Sequence, residues 1–360
     1  MFDVFPENYA DLLNKKVRHL TQLFDGIPHP EIDLFESPPS HFRMRAEFRI
    51  WHEQDEINYV MFDKLKKNAP IIINDFPRAN RSIANLMQPL LIAIRENDTL
   101  SKRLFQIDFL SSSLGEVLVT LIYHKTLDEQ WRNTATELQK LFNIKVIGRA
   151  RKQKEILSED FIMETFEVDN KTLEYQHVEN SFTQPNATVC EKMLNWVVRH
   201  SNQSSGDLLE LYCGNGNFTL ALAKNFRKIL ATEVSKVSVK SARYNMKLNH
   251  IKNIEIVRLS SEEITQALNK EREFRRLEDI NLDDYDFNTL FVDPPRAGLD
   301  EQTVKLAKQF ERIIYVSCNP YTLVENIKML GDYRVENMAL FDQFPYTEHM
   351  ECGVILVKTA

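Results

Sequence analysis

The sequence is poor in cysteine and contains no long apolar run. Its 360 residues include 4 cysteines, which are widely spaced and form no CxxC or other short metal-ligand pair, so we expect no disulfide, metal site or iron–sulfur cluster. The longest apolar stretches, such as residues 208–212, are far too short to span a bilayer. The acidic N-terminus lacks the basic flank and apolar segment of a secretory signal. These absences predict a cytoplasmic protein without a membrane segment.

An excess of positive charge is also missing. The formal net charge is −7 at pH 7, which argues mildly against a nucleic-acid partner, because phosphate binding depends on lysine and arginine. An RNA-binding role would therefore need local basic patches. One such patch contains Arg43, Arg45 and Arg49, and another spans residues 149–154. Either patch alone is explained equally well as a solvated charged face.

The chain is long enough, and with 43% apolar residues apolar enough, to form two domains. The first half has an irregular order of elements, which is typical of an α+β domain. A helix is predicted over residues 8–24, followed by a proline-rich loop over 28–39. The next stretch alternates apolar and polar residues, which predicts a strand with three arginines on one face. Further strands are expected near 58–62, 104–109, 117–123 and 144–147, and helices near 80–96 and 129–142.

The second half alternates helices with short apolar strands. This order predicts a doubly wound, mostly parallel sheet, as in Rossmann-like domains. The expected parallel strands lie near 208–212, 229–232, 254–259, 290–293 and 313–317, after a helix over 187–199. Two last strands, near 335–341 and 354–358, have no helix between them and predict an antiparallel hairpin at one edge. We place the domain boundary in the polar segment 158–184, which gives an N-terminal domain of residues 1–170 and a C-terminal domain of residues 171–360.

A glycine turn follows the first parallel strand of the second half. Gly214 and Gly216 lie between this strand and the next helix, where glycine lets the backbone approach a ligand closely. A short Gly-x-Gly alone is explained equally well as a structural turn. Glu233, however, ends the next strand about twenty residues later, where such folds bind ribose hydroxyl groups. Together these residues favour a cofactor that contains a nucleoside.

The details of this turn distinguish two kinds of cofactor. Dinucleotide-binding turns usually have a third glycine and place a pyrophosphate on the helix N-terminus, but Thr219 occupies that position here. S-adenosylmethionine has no pyrophosphate. The acidic Glu210 before the turn completes a pattern more similar to Rossmann-like methyltransferases than to dehydrogenases. Tyr212 and Asn217 would then flank the cofactor.

Two more motifs follow parallel strands, at residues 291–296 (FVDPPR) and 316–320 (VSCNP). Open α/β sheets bind their ligands at the carboxyl ends of their strands, where both motifs lie. An isolated cysteine is usually a small buried residue. Cys190 falls in an amphipathic helix and Cys213 in the glycine turn, so Cys318 is the cysteine best placed to meet a substrate.

A thiolate at Cys318 suits methylation of carbon 5 of uracil. That carbon is a poor nucleophile in the intact ring, but addition of a thiolate to carbon 6 gives an enolate whose carbon 5 can accept a methyl group. A base must then remove the carbon 5 proton. The final hairpin offers Glu351 or, less favourably, Glu348, although either could be a solvated loop charge. No histidine or lysine adjoins Cys318 in the sequence to activate its thiol.

Ordered motifs along nearly the whole chain resemble the RNA 5-methyluridine methyltransferase family, and within it the bacterial tRNA branch. The segments that carry the resemblance are SHFRMRAEFRIWH, LFQIDFL, ENSFTQPN, LLELYCGNGNFTLALA, ATEVS, FVDPPRAGLD, YVSCNP and FDQFPYTEHMECG. The resemblance implies that Cys318 is the nucleophile and Glu351 the proton acceptor. It also implies that S-adenosylmethionine is bound by Gln184, Tyr212, Asn217, Glu233 and Asp293.

The resemblance further implies an RNA substrate. Arg49 and Phe105 would contact the T-arm of tRNA, and an aromatic ring would replace the stacking that is lost when the target base flips out. A sibling branch that acts on ribosomal RNA carries an iron–sulfur cluster on closely spaced cysteines, which this chain lacks. The expected product is therefore 5-methyluridine at position 54 of the tRNA T-loop. RNAs with a T-loop-like hairpin are further candidate substrates, and since nothing demands a partner subunit we expect a monomer.

Two alternatives stay open at this point. An Asp-Pro-Pro motif followed by an aromatic residue also marks amino-group methyltransferases, but Arg296 replaces the aromatic residue here. The second alternative is an RNA-binding protein that remodels the tRNA elbow, with methylation as a secondary activity.

Overall fold

The computed structural model describes residues 4–54, 56–62, 69–202, 204 and 206–359. The described residues form two compact units. The first unit contains the described residues of the ranges Met1–Pro6, Pro38–Thr165 and Gln176–Asn180. The second unit contains those of Glu7–Ser37, Phe166–Tyr175 and Ser181–Ala360.

Most helices begin at a polar residue whose side chain accepts a hydrogen bond from a backbone N–H of the first turn, as Asp128, Asn186 and Ser260 do. Such caps satisfy donors that have no partner inside the helix. Among the described residues the helices are α1 (Tyr9–Leu23), α2 (Arg81–Arg95), α3 (Asp98–Ser101), α4 (Glu129–Phe142), α5 (Ala187–Ser201), α6 (Asn217–Leu222), α7 (Lys236–Leu248), α8 (Ser261–Leu268), α9 (Glu301–Ala307) and α10 (Pro320–Leu330).

The strands are mostly short and rich in apolar residues. Among the described residues they are β1 (Ile32–Phe35), β2 (Arg45–Glu53), β3 (Glu56–Phe62), β4 (Pro70–Ile72), β5 (Leu104–Ser111), β6 (Val117–Tyr123), β7 (Lys145–Ala150), β8 (Gln153–Ile156), β9 (Phe161–Val168), β10 (Lys171–Val178), β11 (Asp207–Leu211), β12 (Ile229–Thr232), β13 (Ile254–Val257), β14 (Phe287–Val292), β15 (Arg312–Ser317), β16 (Tyr333–Phe341) and β17 (Glu351–Lys358).

The first unit contains a mixed sheet in the order β4-β3-β2-β5-β6-β7-β8. All of its neighbours are antiparallel except β6 and β7, which α4 connects. Along β2 the buried Phe48 and Ile50 alternate with exposed residues such as Arg49. The predicted two-residue periodicity of this strand is therefore confirmed. Helices α2 and α4 contribute to the same apolar core as the buried face of the sheet.

The second unit contains an open sheet in the order β1-β16-β17-β15-β14-β11-β12-β13. Every neighbouring pair is parallel except the two that involve β17. This mostly parallel sheet with helical crossovers confirms the predicted fold class. The β16–β17 hairpin also forms, but its predicted place at the edge is wrong, since β1 continues the sheet beyond β16.

The proline-rich segment predicted as a loop contains β1, which is a second correction. Ile32 pairs with Met338 and Phe35 with Phe341 in parallel register. A strand of four residues whose partner lies about three hundred positions away leaves no local periodic signal.

The observed units also differ from the predicted division at residues 170 and 171. Residues 7–37, which include α1 and β1, lie in the second unit because β1 pairs with β16. The polar segment chosen as the boundary contains a hairpin, β9 and β10. Residues of this hairpin are divided between the two units.

Candidate active site

The carboxyl ends of four parallel strands lie side by side at one edge of the sheet of the second unit. Leu211 pairs with Thr232 and with Val292, and Val292 pairs with Tyr315. Neighbouring strands are about 4.8 Å apart. The residues that follow these strand ends, completed by the first residue of β17, therefore form a row in the order Glu233, Tyr212, Asp293, Cys318 and Glu351.

Cys318 and Glu351 are neighbours in this row. β15 and β17 pair in antiparallel register up to Ser317 opposite Cys352, and Cys318 and Glu351 are the next residues along the two chains beyond this pair. The charge of Glu351 is one of the causes that raise the pKa of the Cys318 thiol, so the two groups are close. Glu351 is 3% exposed, whereas Glu348, the other carboxylate considered, is exposed in the preceding loop.

The glycine turn requires glycine and is tied to Glu233. Gly214 has φ +56° and Gly216 has φ +82°, and a Cβ atom on Gly216 would lie 2.7 Å from Leu220 Cδ1. The Gly214 N–H donates a hydrogen bond of 3.1 Å to Glu233 Oε2, and the Ser235 N–H donates one of 2.7 Å to Oε1. A Cβ atom on Gly214 would meet no atom within 4 Å. The turn therefore leaves open space beside a held carboxylate.

Of the two remaining predicted cofactor residues, Asn217 directly follows this turn and Gln184 precedes α5. Asn217 is the first residue of α6, and its Nδ2 lies 3.4 Å from Cys190 Sγ, while its backbone oxygen accepts a 3.0 Å bond from Tyr175. Gln184 is half-buried in the segment before α5. Only the resemblance pointed to Gln184, because no local pattern marks a residue between a hairpin and a helix.

Carboxyl groups concentrate at this edge. Burial, with the nearby charge of Asp293, raises the pKa of Glu210 to about 8. Burial raises the pKa of Asp293, and burial with the charge of Asp293 raises that of Glu351 well above its usual range. Glu210 Oε2 is buried without a hydrogen-bond partner among the described residues. Since close buried carboxylates disfavour each other's ionisation, this edge suits a ligand that brings positive charge.

The Cys318 thiol is protonated at neutral pH in this arrangement. Burial and the charges of Glu351 and Asp293 raise its pKa to about 11, while the guanidinium of Arg296 opposes that rise. Arg296 is the activating charge that the sequence around Cys318 did not show. Its backbone oxygen accepts a 3.0 Å hydrogen bond from Asn319 Nδ2, which joins the two motif loops.

Cys318 opens into a cavity of about 620 Å³. Small-molecule sites in proteins span roughly 300–1,000 Å³. The walls come from α1, the two motif loops and the loop before β17. The lining residues are Leu12, Lys15, Lys16, His19, Arg296, Cys318, Asn319, Pro320, Tyr321, Tyr346, Thr347, Glu348, His349 and Met350.

A buried ion pair holds α1 as a wall of this cavity. Lys16 Nζ donates to Asp342 Oδ1 at 2.7 Å and to the Phe344 carbonyl at 2.8 Å. The side chains of Lys16 and Asp342 are 7% and 2% exposed. Helix α1 is therefore part of the site, which the predicted N-terminal domain did not anticipate.

In the first unit, the two predicted RNA-binding residues form a stack. The Arg49 Cζ lies 3.9 Å from the centroid of the Phe105 ring. The ring centroid of His124 is 4.1 Å from that of Phe105, at an interplanar angle of 27°. The register of β5 against β6 shifts between Leu104 and Gln106, at Phe105. Such bulges commonly re-aim a side chain. The sequence motifs did not indicate that His124 takes part in this aromatic contact.

Two of the four basic residues in the second patch, Arg149 and Lys154, form ion pairs. Arg149 binds Glu179 through hydrogen bonds of 2.8 Å and 2.5 Å. Lys154 lies 2.8 Å from Asp160 and 3.4 Å from Glu179. This patch is therefore less suited to phosphates than its sequence indicates.

Fold and site together define a class of protein. In the part of the chain that the structure describes, no helix is long and apolar enough to cross a bilayer, and no three His, Cys, Asp or Glu side chains are placed to hold a metal ion. The solved structure of Pyrococcus abyssi tRNA (uracil-54, C5)-methyltransferase in complex with S-adenosyl-L-homocysteine covers 97% of this chain and 84% of its own, with a TM-score of 0.74 and 23% identity. At that identity it supports the fold alone, which is that of a Rossmann-like methyltransferase with an added N-terminal α+β part.

Sequence comparison identifies the family within this class. A family model described as tRNA (uracil-5-)-methyltransferase matches residues 8–359. A relative from Histophilus somni, named tRNA/tmRNA (uracil-C(5))-methyltransferase, is 53% identical over 358 residues, which are 98% of this chain and 98% of the relative. A relative of the same name from Psychromonas ingrahamii is 52% identical over 99% of this chain and 98% of its own length. The chain belongs to the tRNA (uracil-5-)-methyltransferase family.

Proposed function

We propose that the chain transfers a methyl group from S-adenosylmethionine to carbon 5 of uridine 54 in the T-loop of tRNA, through a covalent adduct between Cys318 and the uracil. One observation carries the proposal: Cys318 and Glu351 are the next residues along the two chains beyond the Ser317–Cys352 pair of β15 and β17, and the charge of Glu351 acts on the Cys318 thiol. A thiol and a carboxyl group that could serve as nucleophile and base are thereby close to each other. Covalent activation of carbon 5 needs this pair.

The same edge supports the choice of cofactor. S-adenosylmethionine supplies an electrophilic methyl group on a positively charged sulfur. Glu233, held by the N–H groups of Gly214 and Ser235, is placed to bind the ribose hydroxyl groups. Tyr212 and Asp293, in the next two positions of the row, would hold the rest together with Asn217 and Gln184. The buried, unpartnered carboxylate oxygen of Glu210 fits a cationic ligand.

The proposed reaction uses Cys318 first as nucleophile and Glu351 last as base. The Cys318 thiol loses its proton to water in the cavity, and its sulfur forms a bond to carbon 6 of the uracil. The electron pair of the 5,6 double bond moves toward carbon 5 and is held as an enolate, from which carbon 5 would form its bond to the methyl group as the bond between that methyl group and the donor sulfur breaks. With a cationic ligand at this edge to favour its ionised form, Glu351 then takes the proton from carbon 5, the bond between the Cys318 sulfur and carbon 6 breaks, and the double bond returns. Arg296 stabilises the thiolate at both ends of this sequence.

The stack of Arg49, Phe105 and His124 supports an RNA contact in the first unit. Planar rings and guanidinium groups stack on unpaired bases, so Phe105 would fill the space of the flipped uridine. The relatives' names mention tmRNA beside tRNA, which supports other RNAs with a T-loop-like hairpin as further substrates. We expect the protein to act as a monomer in the cytoplasm.

Amino-group methylation needs neither a cysteine nor a base opposite it, so the paired Cys318 and Glu351 disfavour that alternative. Replacement of Cys318 by alanine should abolish methyl transfer, because no sulfur remains to add to carbon 6. A T-arm RNA with 5-fluorouridine at the target position should form a stable adduct with the unmodified protein, since Glu351 cannot remove fluorine. A fully active Cys318→Ala protein would overturn the proposal.

A matched pair of variants tests the base. Glu351→Gln should accumulate the adduct with normal T-arm RNA, while Glu348→Gln, which changes an exposed carboxylate nearby, should turn over normally. The same Glu351→Gln protein tests the remodelling alternative. If tRNA folding in cells or in vitro is promoted equally by this variant and by the unmodified protein, remodelling is a separate activity.

A further inference from the structure

Tyr321 stands at the mouth of the cavity that contains Cys318. It is the second residue of α10 and is 53% exposed, which is unusual for a large aromatic side chain at the wall of a site. Its hydroxyl oxygen lies 2.9 Å from His19 Nε2, a hydrogen bond between α10 and α1. The two rings meet edge to face, with centroids 5.8 Å apart at 68°. The tyrosine ring is therefore exposed and also held in one orientation.

The charges around Tyr321 are mostly positive. Lys15 and Arg296 line the same cavity, and among the described residues that line it Glu348 is the one acidic side chain. Lys16 also lines it, but its charge is compensated by Asp342. In a chain with a net charge of −7, this local excess of positive charge is suited to phosphate groups.

We propose that Tyr321 is a stacking subsite for the nucleobase next to the target uridine, with Lys15 binding an adjacent phosphate. The inference rests on the proposed function, because it takes the uracil to lie at Cys318. Proteins that bind single-stranded RNA combine aromatic platforms with a positive groove. The bond to His19 holds the ring in place before RNA binds, which lowers the entropy lost on binding. The subsite would thus help to keep the flipped uridine and its neighbour in position.

Binding of a T-arm hairpin to a protein with Cys318→Ala tests the subsite without interference from adduct formation. Adding Tyr321→Ala should weaken binding by about 5- to 150-fold, the range of aromatic–base stacking. Tyr321→Phe keeps the ring and should bind within about 3-fold of the parent. Tyr244→Ala removes an aromatic residue that is 43% exposed on α7 and outside the cavity, and it should have no effect.

An abasic nucleotide on either side of the target uridine identifies the partner of the ring. If Tyr321 stacks on one neighbouring base, the loss caused by Tyr321→Ala should disappear with the hairpin that lacks that base and remain with the other. A loss that persists with both abasic hairpins, or no loss with the complete one, would overturn the subsite. Methyl transfer by the unmodified protein is measured separately, and its absence would count against the proposed function instead.

Discussion

The carboxyl group of Glu351 should lower the reactivity of Cys318 in addition to the effect of burial. Two unit charges about 5 to 8 Å apart interact by about 2 to 3 kcal/mol at an effective dielectric constant of about 20. That energy equals about 2 pKa units, and water in the open cavity reduces it. The pKa of Glu351 is itself raised, so its charge opposes the thiolate only where the carboxyl group is ionised. Under those conditions Glu351→Gln removes the charge, and the pKa of Cys318, which burial and its neighbours raise to about 11, should fall by about 1 to 2 units.

The rate of alkylation by iodoacetamide, followed residue by residue by mass spectrometry across pH 7 to 12, measures this shift. Below the pKa of Cys318 the rate of alkylation should rise about tenfold per pH unit, because only the thiolate reacts. The buried Cys190, Cys213 and Cys352 serve as slow internal references.

Glu348→Gln is the matched control for this experiment. Its carboxylate is exposed in the same cavity wall, so water should screen it and the midpoint for Cys318 should stay unchanged. Equal shifts of the Cys318 midpoint in both variants, or no shift with Glu351→Gln, would refute the inference that Glu351 lies close to the Cys318 thiol. A midpoint near 8.5 in the unmodified protein would refute the argument from burial.

Two further substitutions test the frame of the site. Gly216→Ala should destabilise the protein by more than about 1 kcal/mol, because φ is +82° and the new Cβ atom would lie 2.7 Å from Leu220. Urea unfolding measures this loss, and an unchanged midpoint would show that the turn adapts. Lys16→Met should lower the free energy of unfolding by about 3–5 kcal/mol, because it leaves Asp342 buried without its partner. The double variant Lys16→Met with Asp342→Leu should recover most of this loss. A double variant as unstable as the single one would contradict the pairing.

Much of the second unit could be predicted because its strands are short, apolar and separated by helices. The range predicted for β12, residues 229–232, matches the structure, and the other parallel strands differ by a few residues at their ends. β1 could not be predicted in this way, since its stability comes from pairing with β16 and its own four residues carry no periodicity. The assignment of α1 to the N-terminal domain failed for the same reason.

The arrangement of the candidate site could likewise be predicted only in part. The sequence by itself determined which residues follow the parallel strands, and because such strand ends meet at one edge, it determined that Cys318, Asp293 and Glu233 lie together. Only the tertiary structure decided that Glu351 lies close to Cys318, because that depends on the pairing of β15 with β17, whose paired residues at this end are more than thirty positions apart. It also decided that Arg296 opposes the rise in the pKa of the thiol. Contacts of this kind depend on how distant segments pack, and local sequence contains no signal of that packing.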